Sequence, residues 1–159
     1  MQSFLKEATH SENIETFQLA GDASARRYFR VHADKNQTFV LMVWEPFEDE
    51  SSYPFLNVLR HFERQGVLVP QPIAVSKKEG LVLLEDLGDL TLERKFWENL
   101  SPEYALEFYK KSIDEILKIH YKVSRDRRPD DVAFKIEFNT ERLLWEMNYA
   151  KEHLLEKLL

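Results

Sequence analysis

The sequence predicts an α+β fold in which a five-stranded antiparallel sheet with one helix is followed by a helical segment. Up to about residue 90, short extended apolar runs alternate with turn residues, and beyond it apolar residues recur at helical spacing. Because this pattern changes only once, we expect a first lobe over residues 1–84, a hinge over 85–90 and a helical lobe over 91–159.

The first lobe is expected to contain five strands. Residues 2–9 fit a short helix, and the apolar residues of 55–62 fall at helical spacing, with Gly66 placed to end that helix. Asp34–Gln37 supplies a turn between two of the strands. Leu81–Leu84 is an uninterrupted apolar run, typical of a strand that is covered on both faces. The five extended segments are residues 14–19, 27–32, 38–44, 73–75 and 81–84.

Three helices are expected in the second lobe. Thr91 suits the cap of a helix over 92–99, and Ser101 suits the cap of a longer helix that runs to about Tyr121. His120 follows three apolar residues of that helix at helical spacing, so we expect a packed histidine.

The end of the chain is expected to form the third of these helices. The polar residues 124–131 predict a solvated loop before it, and Thr140 suits its cap. Its apolar stripe must pack on the rest of the domain, on a partner or on a second copy, and no ending signal follows it. The stripe consists of Leu143, Met147, Ala150, Leu154 and Leu158.

Composition excludes several classes of function. The net charge is −6 and the basic residues are scattered, so a nucleic acid is not an expected partner. The chain has no cysteine, which excludes disulfides, thiolate metal sites and a cysteine nucleophile. It also lacks a signal sequence and any apolar run of about 20 residues, the length that spans a membrane. We therefore expect a cytoplasmic protein without membrane contact.

A turn of small residues between the first two strands is the first candidate site. Backbone amides of Gly21-Asp22-Ala23-Ser24 can point at a phosphate, the Ser24 hydroxyl adds a donor, and Arg26 follows. No Gly-Lys-Ser/Thr follows, and the next element is a strand, so this is not a P-loop. The alternative is an ordinary hairpin with solvated Arg26 and Arg27.

The predicted hinge is the second candidate site. Extended backbone at the end of the buried strand can offer a carbonyl and an amide to the edge of a flat heterocycle. Gly88 relieves crowding there, and Asp89 is placed to reach a sugar hydroxyl. The alternative is an acidic surface loop.

Four segments together, in this order, resemble the aminoglycoside-phosphotransferase-like kinases. They are most similar to bacterial cell-wall amino-sugar kinases, which phosphorylate the anomeric hydroxyl of N-acetylmuramate and N-acetylglucosamine. The helical segment Phe138–Glu146 is similar to helices that precede the catalytic loop of that family. The four segments are Gly21–Val31, Leu41-Met42, Gly66–Pro70 and Leu83–Asp89.

The resemblance implies a protein-kinase-like pair of lobes, with ATP and Mg²⁺ in the cleft between them. The turn at Gly21 would then cover the phosphates, while backbone groups of Glu85 and Leu87 would hold the adenine edge. Protein kinases carry a lysine where this chain has Met42, whereas the cell-wall-sugar kinases tend to have an apolar residue. The expected nucleotide-binding residues are Gly21, Asp22, Ala23, Ser24, Arg26, Tyr28, Met42, Glu85, Asp86, Leu87 and Asp89.

The catalytic motif of the family is absent from this chain. That motif is His-x-Asp-x-x-x-x-Asn, and no complete copy of it occurs in the sequence. Ser124-Arg125-Asp126 imitates the Arg-Asp of a protein-kinase loop, but Asp131 stands at its Asn position. We therefore expect no catalytic residue here, with the magnesium ligands and the catalytic loop in a missing C-terminal part.

The resulting hypothesis is the N-terminal part of an ATP-dependent sugar kinase, inactive as it stands and able to bind nucleotide weakly. An alternative is a non-catalytic, degenerate kinase lobe that acts as a nucleotide sensor or docks on a protein through helix 140–159. A third interpretation is an unrelated α+β domain whose loops are structural.

Overall fold

The computed structural model describes residues 1–20, 25–99 and 101–156. Its sheet has five antiparallel strands in the order β1-β2-β3-β5-β4, which confirms the predicted fold class. The strands are β1 (Glu15–Gln18), β2 (Arg27–Ala33), β3 (Gln37–Val43), β4 (Pro72–Ser76) and β5 (Leu81–Glu85).

Helices follow the order expected from the sequence. The long α4 begins with Ser101, whose hydroxyl accepts a hydrogen bond from the amide of Tyr104. The last helix is capped by Asn139 rather than by the predicted Thr140, because the Asn139 side chain accepts from the amide of Arg142. The helices are α1 (Gln2–Thr9), α2 (Pro54–Arg64), α3 (Leu92–Asn99), α4 (Pro102–Tyr121) and α5 (Thr140–Ala150), with a π-helical extension at Lys151–Glu156.

Strand β5 lies between β3 and β4 and is covered on both faces. Leu81 and Leu83 belong to a cluster that packs against α1, whereas Val82 and Leu84 belong to a cluster that packs against α2. Successive side chains of a strand point to opposite faces, so an uninterrupted apolar run supplies both clusters. The core therefore sits within the sheet lobe, on both sides of β5.

The apolar sides of α4 and α5 are open. Ile113, Ile116 and Leu117 of α4 are each about half exposed, and His120 is exposed, so the prediction of a packed histidine was wrong. On α5 and its extension, Leu143, Met147 and Leu154 are between 50% and 69% exposed. The predicted stripe therefore meets no covering surface within the described part of the chain, and Leu158 lies outside that part. None of the helices described is both long and apolar enough to cross a bilayer.

Gly80 ends the turn between β4 and β5 where a side chain would meet backbone. Its φ is +63°, and a Cβ there would clash with the Trp44 carbonyl and lie 2.7 Å from the Glu45 carbonyl carbon. We expect Gly80→Ala to lower the free energy of unfolding by more than about 2 kcal/mol, since strain and overlap add. The measurement is urea denaturation followed by fluorescence.

Gly66→Ala is the matched control, because Gly66 has a φ of +72° but a Cβ added there would meet no atom within 4 Å. Backbone strain alone should therefore lower the free energy of unfolding of Gly66→Ala by roughly 1–2 kcal/mol. Equal losses in the two variants would contradict the role given to the backbone contact.

Candidate functional site

The sheet brings several of the predicted site residues to one face. Tyr28 of β2 lies opposite Met42 of β3, and Val40 of β3 lies opposite Leu84 of β5. These positions alternate with those that pack on α1, so they share the α2 side of the sheet. Residues Gly21, Asp22, Ala23 and Ser24 lie outside the described residues.

Arg26 lies immediately before β2, on the side of the small-residue turn. Its guanidinium carbon lies 5.8 Å from the centre of the Trp44 ring, a cation–π distance. The half-buried Arg26 side chain also borders an apolar groove of about 380 Å³ beside α2. The other lining residues are Pro54, Phe55, Val58, Leu59, Phe62, Val69 and Pro70.

Met42 is part of the core rather than of an open surface. Its side chain is fully buried in the cluster on the α2 side, and the half-buried Tyr28 packs against that cluster. A lysine at this position would place a charge among apolar side chains, which is costly without a partner. Met42 therefore supports the sheet beneath the candidate site by packing.

Residues 85–89, which are the last residue of β5 and the four that follow it, extend beyond the end of that strand. The Glu85 amide donates to the Gln71 carbonyl at 2.8 Å, so this N–H is not free to bind a ligand. Leu87 is 67% exposed, and its backbone N–H makes no hydrogen bond within the described part of the chain. Gly88 has a φ of +77°, which glycine adopts without strain.

Arg30 joins β2 to this segment, and sequence analysis missed it. Its Nε lies 2.9 Å and its Nη2 3.1 Å from the two carboxylate oxygens of Asp86, and its Nη1 lies 2.7 Å from Asp89. The Asp86 carboxylate also accepts the Gly88 amide at 2.9 Å. The spacing of 59 residues between Arg30 and Asp89 leaves no local sequence signal. Asp86 and Asp89 were expected to contact a ligand, and in the structure both contact Arg30 instead.

Charge pairing shifts the pKa values of Arg30, Asp86 and Asp89. Burial alone would raise the pKa of Asp86, but the Gly88 amide, Arg30 and Thr38 together hold that pKa below its ordinary value. Hydrogen bonding to Arg30 is the main reason that the pKa of Asp89 is lowered. Asp89 and then Asp86 raise the pKa of Arg30. All three groups are therefore charged near neutral pH.

The segment 126–132, here called the strap, packs on α2. The side-chain Nδ2 of Asn57 donates a hydrogen bond to the Asp130 backbone carbonyl at 3.0 Å, and its Oδ1 accepts one from the Val132 backbone N–H at 3.0 Å. Arg64 donates to Asp131 at 3.0 Å, and Gln65 donates to Asp126 at 2.7 Å. The prediction of a solvated loop over Ser124–Asp131 was wrong for Asp126 and Asp131, whose side chains are polar partners of Gln65 and Arg64, whereas the other residues of that loop are exposed.

Two carboxylates of the strap lie beside the fully buried His61 of α2. Its Nδ1 is 3.6 Å from Asp131 and its Nε2 is 4.0 Å from Asp126, and neither nitrogen has a hydrogen-bond partner within the described residues. The Asp126 side chain therefore contacts residues of α2 and its C-terminal end. The Arg125-Asp126 sequence, which imitates a catalytic loop, has a structural role here. Asp34, two residues after His32, likewise accepts hydrogen bonds from the backbone amides of Glu12 and Asn13 and from the Asn13 side chain.

Helix α4 makes a further connection to the segment that follows α2. Lys118 donates to the Gly66 carbonyl at 2.8 Å, and Glu115 accepts the Leu68 amide at 3.0 Å. Together with the strap, these contacts hold α4 against the segment between α2 and β4. Across the residues that the structure describes, no three histidine or carboxylate side chains gather as metal ligands would.

Comparison with known proteins gives two matches. The sequence model of the phosphotransferase enzyme family, APH, matches residues 16–159. An N-acetylmuramate/N-acetylglucosamine kinase of Pseudomonas aeruginosa is 32% identical over 103 residues, which is 65% of this chain and 29% of that kinase. The chain therefore spans less than a third of the length of that relative.

Asp131 is the most buried carboxylate of the strap, and its replacement should loosen α2. Burial alone would raise its pKa, but the Arg128 amide, Arg64 and His61 hold the pKa below its ordinary value. A lowered native pKa stabilises the fold above the unfolded-state pKa, and that contribution is lost as the pH falls through the native pKa. We expect Asp131→Asn to cost about 1–3 kcal/mol at pH 7 and less at pH 3, measured by denaturation at both values.

The control is Asp130→Asn, which removes the same charge at an adjacent exposed position. It should change the free energy of unfolding by less than about 0.5 kcal/mol. A loss in Asp131→Asn that does not depend on pH would contradict the electrostatic explanation.

Proposed function

Because this chain belongs to the phosphotransferase enzyme family, we propose that it provides the ATP-binding part of a small-molecule kinase. The observation that carries the proposal is the segment 85–89. It continues a buried strand, contains Gly88 with its positive φ and offers the unbonded Leu87 N–H. A carbonyl and an N–H two residues apart match the donor and acceptor along one edge of adenine.

The proposed arrangement extends from this edge toward the end of β2. Adenine would contact the Glu85 carbonyl and the Leu87 N–H, and the triphosphate would run toward the Gly21–Ser24 turn. There the turn amides and the Ser24 hydroxyl would donate hydrogen bonds to phosphate oxygens, and the Arg26 guanidinium would add a positive charge. Asp89 is 69% exposed at its side chain, which leaves room for a ribose hydroxyl beside Arg30.

We further propose that the whole protein transfers the γ-phosphate of ATP to a hydroxyl of a small sugar. Support comes from the relative in Pseudomonas aeruginosa, whose name states the kinase reaction and two amino-sugar substrates. Phosphoryl transfer needs Mg²⁺ to neutralise developing charge and a carboxylate to orient the attacking hydroxyl. This chain contains no complete His-x-Asp-x-x-x-x-Asn motif, so we propose that it binds ATP without transferring phosphate and that the magnesium ligands lie outside it.

Calorimetry with ATP and Mg²⁺ tests the base contact. Leu87→Pro removes the N–H that would bind adenine, so we expect the affinity for ATP to fall roughly 5- to 20-fold, which corresponds to one lost hydrogen bond and local displacement. Leu87→Ala keeps the N–H and shortens only an exposed side chain, so its affinity should stay within about twofold of the wild type.

Absence of binding at millimolar ATP in the wild type would contradict the proposal. It would favour the interpretation of an α+β domain whose loops are structural. Equal affinities in Leu87→Pro and Leu87→Ala would show that adenine is bound elsewhere.

A second candidate function, protein docking, is favoured by the open apolar sides of α4 and α5. If the occupant is a second copy, light scattering at increasing concentration should give a mass above the 19.0 kDa of one chain. Ile116→Glu would place a charge in the middle of the open side of α4 and should restore the monomer. A monomer at all concentrations would reject self-association.

A further inference from the structure

We propose that Arg30 is a positioning residue, which fixes the backbone of residues 85–89 in the conformation that selects adenine. The inference rests on the proposed ATP site and assigns a role to a residue outside the expected set of ligand contacts. The inference concerns which base is bound, and it makes no claim about the contacts with the triphosphate.

The path of the Arg30 side chain crosses the sheet. Arg30 of β2 lies opposite Val40 of β3, and Val40 lies opposite Leu84 of β5. Neighbouring strands are about 4.8 Å apart, so the side chain extends over β3 on the α2 side to reach the end of β5. Asp86 is two residues beyond Leu84 and thus continues the same face, which explains why the two side chains meet.

Asp86 transmits this contact to the backbone. Its Oδ1 accepts a hydrogen bond from Nη2 of Arg30 at 3.1 Å, while Nε lies 2.9 Å from Oδ2 as an ion pair without hydrogen-bond geometry. The guanidinium also reaches Asp89 through Nη1, and a lysine, with a single charged nitrogen, cannot reproduce both contacts. The Oδ1 atom of Asp86 also accepts the Gly88 amide. Only 5% of the Asp86 side chain and 18% of the Arg30 side chain are exposed, so the pair is shielded from solvent.

Asp89 provides a second point of attachment. The Nη1 atom of Arg30 lies 2.7 Å from its carboxylate, so one guanidinium holds residues on both sides of Leu87. The exposed Leu87 N–H between them is thereby kept at a fixed position, with no partner of its own among the described residues. Without Arg30, Asp86 would be a buried carboxylate lacking its cation, and the turn would gain freedom.

The test compares base preference and backbone protection in Arg30→Gln and in the wild type. Inosine triphosphate carries the same phosphates as ATP but lacks the amino group that would donate to Glu85. We expect the wild type to prefer ATP by about tenfold. Arg30→Gln should reduce this ratio to below about twofold and speed hydrogen exchange of the Gly88 amide by about tenfold.

Two further variants separate positioning from charge and from folding. Arg30→Lys keeps the charge but loses the paired contact, so positioning predicts the same loss of preference as in Arg30→Gln. Arg60→Gln removes an exposed arginine of α2 that pairs with Glu63, and should leave both readouts unchanged. If Arg30→Gln fails to fold, Asp89→Asn, at an exposed carboxylate, still tests the second attachment and should give a partial loss.

Retention of the ATP preference and of the slow Gly88 exchange in Arg30→Gln would overturn the inference, as would full rescue by Arg30→Lys. If the wild type binds no nucleotide, the proposed function fails and selection of adenine fails with it. The exchange rates then show separately whether Arg30 holds this backbone.

Discussion

The two-sided burial of β5 is the constraint on which the rest of the structure depends. Leu81–Leu84 are all buried because α1 covers one face of the sheet and α2 covers the other. A strand in this position has no freedom to shift, since a slip of one residue would exchange its two faces. Residues 85–89 therefore begin from a fixed point, and their approach to Arg30 is set by the register of three strands.

Helix α2 depends on both parts of the chain. Its apolar side is fixed by the core of the sheet lobe, whereas its polar side is satisfied by the strap through Asn57, Arg64 and Gln65. Buried polar groups are costly unless paired, so the helix cannot leave the strap without exposing these groups to water or leaving them unsatisfied. The groove beside Arg26 is lined mainly by α2, so we expect loss of the strap contacts to affect the groove as well.

The strands and most helix ends were predictable because their signals are local. Leu81–Leu84 shows its two-sided burial in its own composition, and Ser101 shows its role as a cap in the residues that follow. Arg30 and His61 were missed because their partners lie 56 to 70 residues away, as Asp86 and Asp131 do, where periodicity carries no information. The polar composition of the strap indicated solvent, although the same residue types pair equally well with a polar helix face.

The long sequence separation between α2 and the strap has a consequence for how the protein acquires its structure. Asn57 and Val132 are 75 residues apart, so this contact can form only after every strand of the sheet has been synthesised. All five strands and α2 lie within residues 1–85, so they leave the ribosome before the strap does. Until the strap has left the ribosome, Asn57 and Arg64 lack the partners that the strap gives them in the folded protein.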